Sequence, residues 1–247
     1  MKIAQTIITL AAATLPASAT VVARFNSFTH AADVAVISTD ASAQTGWTTT
    51  ALTDQATGLG ALSATNQSST NRKTNDFGST PTIQFSSNRE SDAGIPTGTI
   101  GESTWSTFTV SASSGNSLDF DGQVATADTF AEGTGLGGTV SADWTLYFSL
   151  DGGTSWTSLG AKTGASIGGS GGESAATAVS WDLTAIGTQT SVSFLLDPVS
   201  TGSTNGNVSQ RGVAVGNIEV NAVVLVPEVG SAFLGSLGLF GLLRRRR

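Results

Sequence analysis

Cysteine is absent from this 247-residue chain, and a single histidine, His30, is present. The absence of cysteine excludes disulfides, thiolate metal sites and cysteine nucleophiles. A Ser–His–Asp hydrolase would have to use His30 as its base, and a lone histidine near the first strand is far more often a surface residue. We therefore expect a domain held by its hydrophobic core alone, without a catalytic site of these classes.

Charged residues are also scarce, at 12% of the chain, which is about half the usual share. Between Thr20 and Val226 there are seventeen acidic and six basic residues, a net charge of −11. We call this segment the body. Because it is acidic, it repels phosphate groups, so nucleic acid is excluded as a partner. In place of charged residues the chain is rich in Ser, Thr and Asn and contains thirty glycines. This composition is typical of exposed β-sheets with many turns.

No segment of helical period occurs between the two ends of the chain. In Trp144–Leu150, apolar and polar residues alternate, with Thr145, Tyr147 and Ser149 on the polar face. The glycine-rich Gly164–Gly172 is predicted to be a loop, and some strand pairing is expected within 39–81. Similar patterns predict an all-β fold, an antiparallel β-sandwich of jelly-roll type, over 20–225. The candidate strands are Val21–Phe28, Val34–Ser38, Thr82–Ser86, Ser106–Ala112, Ser117–Asp121, Val140–Leu150, Trp156–Leu159, Ala178–Leu183, Ser191–Asp197 and Val213–Leu225.

The first nineteen residues have the layout of a secretory signal peptide, expected to be helical. Lys2 precedes an apolar run, and the small residues Ala17 and Ala19 frame the expected cleavage position. Signal peptidase would then release a chain that begins at Thr20.

The last segment, 226–247, has the layout of a membrane anchor. Gly230–Leu243 contains no charge and would form a helix about 21 Å long, shorter than the ~30 Å hydrocarbon core. Four arginines, Arg244, Arg245, Arg246 and Arg247, follow it and would stay on the cytoplasmic side. The sequence therefore predicts a short transmembrane helix over 230–243 with the body outside.

Val226-Pro227-Glu228, the apolar run and the terminal arginines together resemble the PEP-CTERM sorting signal. The usual motif is Pro-Glu-Pro, and Val229 stands at its third position here. The resemblance implies a Gram-negative bacterium that makes exopolysaccharide, and an exosortase that processes the tail in the membrane. It also implies a final location in the cell envelope, at the cell surface or in the extracellular matrix.

The second half of the body resembles a β-sandwich module common among PEP-CTERM proteins. Relatives usually carry Asp-Asn before the last strand, where this chain has Gly216-Asn217. The matching stretches are Thr107–Ala112, Gly115, Leu118–Phe120, Leu146–Gly153, Trp181–Thr184, Val192–Leu196 and Val215–Val220.

Two motifs contain aspartates. Ser149–Trp156 fits the Asp-box pattern, predicted here to be a structural hairpin in which Asp151 caps the turn. Asp119 and Asp121 would project from one strand face, where they could bind calcium, act as an acid–base pair on a glycoside, or simply be solvated. No cofactor is expected other than this possible calcium ion.

Five tryptophans raise the possibility of carbohydrate contact. Trp105 lies on the same face of its strand as Thr107 and Thr109, so we expect it to be exposed and to be the best glycan-contacting candidate. Trp144 shares the apolar face of its strand and belongs to the core.

The sequence supports two hypotheses about function. The first is a non-catalytic surface or matrix protein associated with exopolysaccharide. The second is a carbohydrate-binding module or carbohydrate-active enzyme on the same scaffold.

Overall fold

A computed structural model describes residues 18–26, 36–38, 43–44, 46–54, 72–77, 80–86, 106–133, 139–168, 172–201 and 212–227. Within these ranges the chain is almost entirely strand, and its one helical element is a 3₁₀ turn at Thr184–Ile186. The predicted signal helix and C-terminal helix lie outside the described residues.

Seventeen strands are formed by the described residues. They are β1 (Ala19–Phe25), β2 (Val36–Ser38), β3 (Ala43–Gln44), β4 (Trp47–Thr49), β5 (Leu52–Asp54), β6 (Arg72–Phe77), β7 (Thr80–Ser86), β8 (Ser106–Ala112), β9 (Ser117–Asp119), β10 (Val124–Gly133), β11 (Thr139–Ser149), β12 (Thr157–Gly168), β13 (Gly172–Glu173), β14 (Thr177–Asp182), β15 (Thr188–Gln189), β16 (Ser191–Ser200) and β17 (Gly212–Leu225).

The strands form two antiparallel sheets. Sheet A has the order β13-β10-β17-β7-β6, with β1 and β9 also paired to β17, β14 to β10, and β15 to β9. Sheet B has the order β12-β11-β16-β8-β4-β3, with β5 beside β8 and β2 beside β5. The predicted all-β antiparallel sandwich is therefore confirmed.

The main hydrophobic core fills the space between the sheets. Phe25 of sheet A contacts Phe108 of sheet B edge to face, with ring centroids 4.9 Å apart. Phe108 stacks on Phe194, its partner in β16, at 5.2 Å. Trp144 and Trp181 are almost fully buried beside this aromatic row. The prediction that Trp144 belongs to the core is confirmed.

Three β-bulges connect the two sheets through buried polar side chains. The extra residue Val22 of β1 accepts a hydrogen bond from Thr49 Oγ1 of the facing sheet. At a bulge in β12, the Gly160 carbonyl accepts a bond of 3.0 Å from Trp181 Nε1. At the second bulge in β12, Ala165 N–H donates to Thr129 Oγ1, a bond of 2.9 Å. Each bulge frees a backbone group from its ladder, and the opposite sheet satisfies that group.

Several strands differ from their predicted extents. The long strand β10 was not anticipated, because its inward positions hold Ala125, Ala127 and Ala131, which give little hydrophobic contrast. The predicted loop Gly164–Gly172 is wrong over Gly164–Gly168, which continues β12. A Cβ atom at Gly164 would lie 2.5 Å from Trp144 Nε1, so glycine is needed there for core packing rather than for a turn. The expected pairing within 39–81 is confirmed by β3–β6.

Candidate functional site

The outer face of sheet B carries polar side chains on its central strands. The even-numbered residues of β11 from Val140 to Phe148 belong to the core cluster. The odd-numbered ones therefore point outward. In the neighbouring strand β16, Leu195 lies opposite Tyr147, and Asp197 lies opposite Thr145. We call five residues on this side of the sheet the Tyr147 face: Asp143, Thr145, Tyr147, Leu195 and Asp197. Tyr147 and Asp143 are partly exposed, whereas Thr145, Leu195 and Asp197 are buried.

Tyr147 is the only tyrosine in the chain and is half-buried. Its pKa is raised, first because burial disfavours the phenolate and second because the Asp197 carboxylate is nearby. A hydrogen bond with the Thr145 side chain opposes this rise in the pKa. The phenol is therefore neutral at physiological pH, and its hydroxyl both donates and accepts hydrogen bonds.

Two carboxylates accompany the ring. Asp197 is only 2% exposed, and Asp143 is half-buried on the adjacent strand. Asp143 pairs with Val199 while Asp197 pairs with Thr145, so the two aspartates are diagonal neighbours, about 7–8 Å apart along the sheet. The partly exposed ring offers an apolar surface to a sugar, and the partly exposed Asp143 carboxylate can accept hydrogen bonds from sugar hydroxyls, whereas Asp197 is buried. This combination is suited to binding a polyhydroxylated ligand.

Towards the other end of β16 the same face is covered by hydroxyl groups. Thr109 Oγ1 and Ser193 Oγ are 2.9 Å apart, and Ser111 Oγ and Ser191 Oγ are also 2.9 Å apart. These cross-strand hydrogen bonds join β8 to β16. The face thus changes from an aromatic and acidic end to a Ser/Thr end.

The glycan-contacting residue predicted from the sequence was Trp105 and not Tyr147. Trp105 lies outside the described residues, so its predicted glycan contact stays a prediction. Thr107, which shares its strand phase, is only 8% exposed, so the expectation that this phase is solvent-exposed is wrong at Thr107. The signal that could have identified Tyr147 was the lone aromatic residue on the polar side of the Trp144–Leu150 alternation.

Asp119 and Asp121 do not share a strand. Strand β9 ends at Asp119, and Asp121 begins the following turn. Asp119 Oδ1 accepts hydrogen bonds from Asp121 N–H and from Thr188 Oγ1, both at 3.2 Å. Among the residues that the structure describes, no group of three or more metal-ligating side chains is close enough to hold a metal ion. The proposed calcium ligation by this pair stays a prediction.

The Asp-box segment forms the predicted structural turn. Asp151 Oδ1 accepts hydrogen bonds from the backbone N–H groups of Thr154 and Ser155, at 3.0 and 2.9 Å, and Oδ2 accepts from Ser155 Oγ at 2.6 Å. These bonds, led by the one from the Ser155 hydroxyl, lower the pKa of Asp151 well below its ordinary value. Gly152 and Gly153 adopt positive φ, and the Trp156 ring packs against Gly153.

Ala19, the residue before the predicted signal-peptide cleavage position, lies in sheet A near the end of β17. Ala19 starts β1 and pairs with Val223 of β17, and Ala17 lies outside the described residues. Val226 and Pro227 are exposed directly after β17. Glu228, Val229 and the four terminal arginines lie outside the described residues, as do the predicted span 230–243 and His30. No helix within the described ranges is long and apolar enough to cross a bilayer.

Comparisons with known proteins give likeness of fold only. No family model and no curated protein matches the chain. Among solved structures, a CBM28 carbohydrate-binding module specific for non-crystalline cellulose is 13% identical, with a TM-score of 0.34 over 60% of this chain and 79% of that module. The tandem CBM22-1–CBM22-2 domain of Paenibacillus barcinonensis Xyn10C is 10% identical, with a TM-score of 0.32 over 88% of this chain and 49% of that one. Caldicellulosiruptor saccharolyticus CBM27-1 in complex with mannohexaose is 10% identical, with a TM-score of 0.29 over 64% and 82%. At these values the chain is similar to β-sandwich modules in architecture alone.

Proposed function

We propose that this protein is an exported, non-catalytic β-sandwich that binds carbohydrate through the Tyr147 face. The observation that carries the proposal is a partly exposed aromatic ring on the outer side of sheet B, with its hydroxyl bonded to Thr145 and with the partly exposed Asp143 carboxylate further along the same strand. Aromatic rings and hydrogen-bonding side chains of this kind provide orientation and affinity for sugars. No cofactor is needed for such binding.

The charge of the face favours a particular class of glycan. Asp143 and Asp197 are part of the acidic excess that gives residues 20–226 a net charge of −11, so a polymer of uronic acids or sulfated sugars would be repelled. Neutral and amino-bearing polysaccharides are the classes that we expect to bind.

The test is a titration of the purified protein with soluble neutral, amino-bearing and acidic polysaccharides. Tyr147→Ala should weaken binding by roughly tenfold or more, equivalent to about 1.4 kcal/mol, because it removes the ring surface. Tyr147→Phe keeps the ring and should retain most of the affinity. Leu150→Ala, a truncation of an exposed side chain just beyond β11, is the matched control. If no polysaccharide binds, or if Tyr147→Ala binds as well as the parent, the proposal is wrong.

A second candidate is a purely structural surface or matrix protein associated with exopolysaccharide. The Ser/Thr end of the face favours it, because the hydroxyls of Thr109, Ser111, Ser191 and Ser193 already bond to each other. Such a protein would be retained in the matrix without measurable affinity for any soluble glycan, which the same titration would reveal.

The location of the protein is proposed from its two ends. The signal peptide and the PEP-CTERM-like tail support export by signal peptidase, insertion of the tail in the membrane and processing by an exosortase. The envelope or matrix of a Gram-negative bacterium is then the final location. The jelly-roll assignment and the two flanking helices stay predictions. Mass spectrometry of the mature protein should find Thr20 at its N-terminus and no Arg247, and an intact C-terminus would contradict processing.

A further inference from the structure

Strand β17 occupies a central position in sheet A. One flank pairs with β10 over Gly212–Val220 and with β9 over Val223–Leu225. The other flank pairs with β7 over Gly212–Val215 and with β1 over Ile218–Val223. By contrast, β14 pairs only with β10 among the described residues.

Side-chain bonds reinforce the second half of β17 on both flanks. Arg24 of β1 donates to Glu219 at 2.7 Å. On the other flank, Asn217 Nδ2 donates to Asp128 Oδ2 at 2.8 Å, and Asn221 Nδ2 donates to the Val124 carbonyl at 3.2 Å. These three bonds, which we call the β17 clamps, join the strand to both neighbours near its exit from the sheet.

The strand continues into the tail almost without a linker. Leu225 is the last strand residue, and Val226, the first residue of the predicted tail, is 65% exposed. A pull on the tail therefore acts along the axis of β17. Antiparallel hydrogen bonds run perpendicular to that axis, so such a load shears the bonds of both flanks together instead of opening them one by one.

We propose that β17 is a load-bearing connection between a surface-bound polymer and the anchored C-terminal tail. This role as a load-bearing connection rests on the proposed function, since it requires a glycan on sheet B and an anchor at the tail. The shear resistance of β17 is a property of the fold and is measurable without either of them.

The experiment is single-molecule force spectroscopy on the full chain, whose lack of cysteine allows specific thiol handles. One handle is placed at Thr201→Cys, directly after β16 and at the end of sheet B remote from Val226, so that the load on Val226 runs mainly along β17. The other is placed either at Val226→Cys, after β17, or at Ser180→Cys, in the one-sided strand β14. At the same constant force we expect the chain held at Val226 to unfold at least about tenfold more slowly than the chain held at Ser180. The rate of unfolding under load depends on the height of the unfolding barrier, and that barrier is higher when the bonds of both flanks of β17 must shear together. Equal rates, or faster unfolding from Val226, would overturn the proposal.

A clamp variant separates this mechanical role from ordinary stability. Arg24→Ala combined with Asn217→Gly removes one clamp on each flank, and glycine retains the positive φ of 46° at position 217. We expect unfolding under load to be accelerated more from Val226 than from Ser180, while the exposed Arg24 contributes little to the equilibrium denaturation midpoint. Equal acceleration from both handles would show a general loss of stability and contradict the proposal. Polysaccharide titration of the same variant tests the proposed function independently, so the two ideas can fail separately.

Discussion

At the scale of single residues, a few side chains determine local geometry by satisfying several backbone groups at once. Asp151 does so in the Asp-box turn, where it accepts hydrogen bonds from Thr154 and Ser155. Asp182 accepts a hydrogen bond from the Thr184 N–H at the start of the 3₁₀ turn, and its pKa is lowered first by the Thr184 hydroxyl. Both are exposed carboxylates whose ionised form is favoured by folding.

Asp151 should make stability depend on pH in the acid range. Because its pKa is lower in the folded chain than the ordinary value of about 3.9, its contribution is complete above that value and is lost as the pH falls below it. We expect Asp151→Asn to lower the melting temperature at pH 6, and the difference from the parent to shrink progressively as the pH falls from about 4 towards the lowered pKa of the folded state. Asp121→Asn, in the exposed turn after β9, is the matched control. A difference independent of pH would contradict this prediction.

At the scale of elements, bulges and their buried partners connect the sheets. Thr129 is fully buried, accepts from Ala165 N–H of β12 and donates to the Thr177 carbonyl of β14 at 2.8 Å. Hydrogen bonds and dispersion contacts are thus combined at one position of β10. Sequence patterns do not reveal such a role, because a threonine in a strand is equally suited to an exposed face.

Replacing Thr129 by valine should be costly although the two side chains have the same shape. The substitution leaves one buried N–H without its partner and removes the bond to Thr177, so we expect a loss of about 1–3 kcal/mol in the free energy of unfolding. Thr126→Val, an outward and half-buried position in the same strand, is the control and should be nearly neutral. Chemical denaturation of both variants measures the difference, and equal effects would show that the hydrogen bonds at Thr129 contribute little.

At the scale of the whole molecule, charge is distributed with little internal compensation. Among the described residues the ion pair found is Arg24–Glu219, which is exposed, while the body carries a net charge of −11. Exposed pairs contribute about 0–1 kcal/mol, whereas repulsion among the excess acids acts across the molecule.

Salt should therefore stabilise the protein. Raising monovalent salt from about 10 to about 150 mM shortens the screening length from roughly 30 Å to roughly 8 Å and reduces the repulsion. We expect the melting temperature at pH 7 to rise over this range, as measured by calorimetry. A fall in melting temperature would mean that favourable ion pairs outweigh the repulsion.

The sequence by itself determined the class of fold, the core and several strand positions. Strand β8 was predicted at its observed bounds, and Trp144 was assigned to the core, because alternation of large apolar and polar residues is a local signal. The same alternation placed Tyr147 on the polar face. It also identified the Asp-box turn, whose glycine and aspartate chemistry is contained in eight consecutive residues.

Only the tertiary structure decided how distant segments combine. It brought Asp197 beside Tyr147, fitted Gly164 against Trp144 and paired β10 with both β14 and β17. These relations depend on which strands become neighbours, and on small inward residues such as Ala125 whose pattern carries little signal alone. The candidate site was therefore not deducible from the sequence, since its members come from two strands about fifty residues apart that only the sheet places side by side.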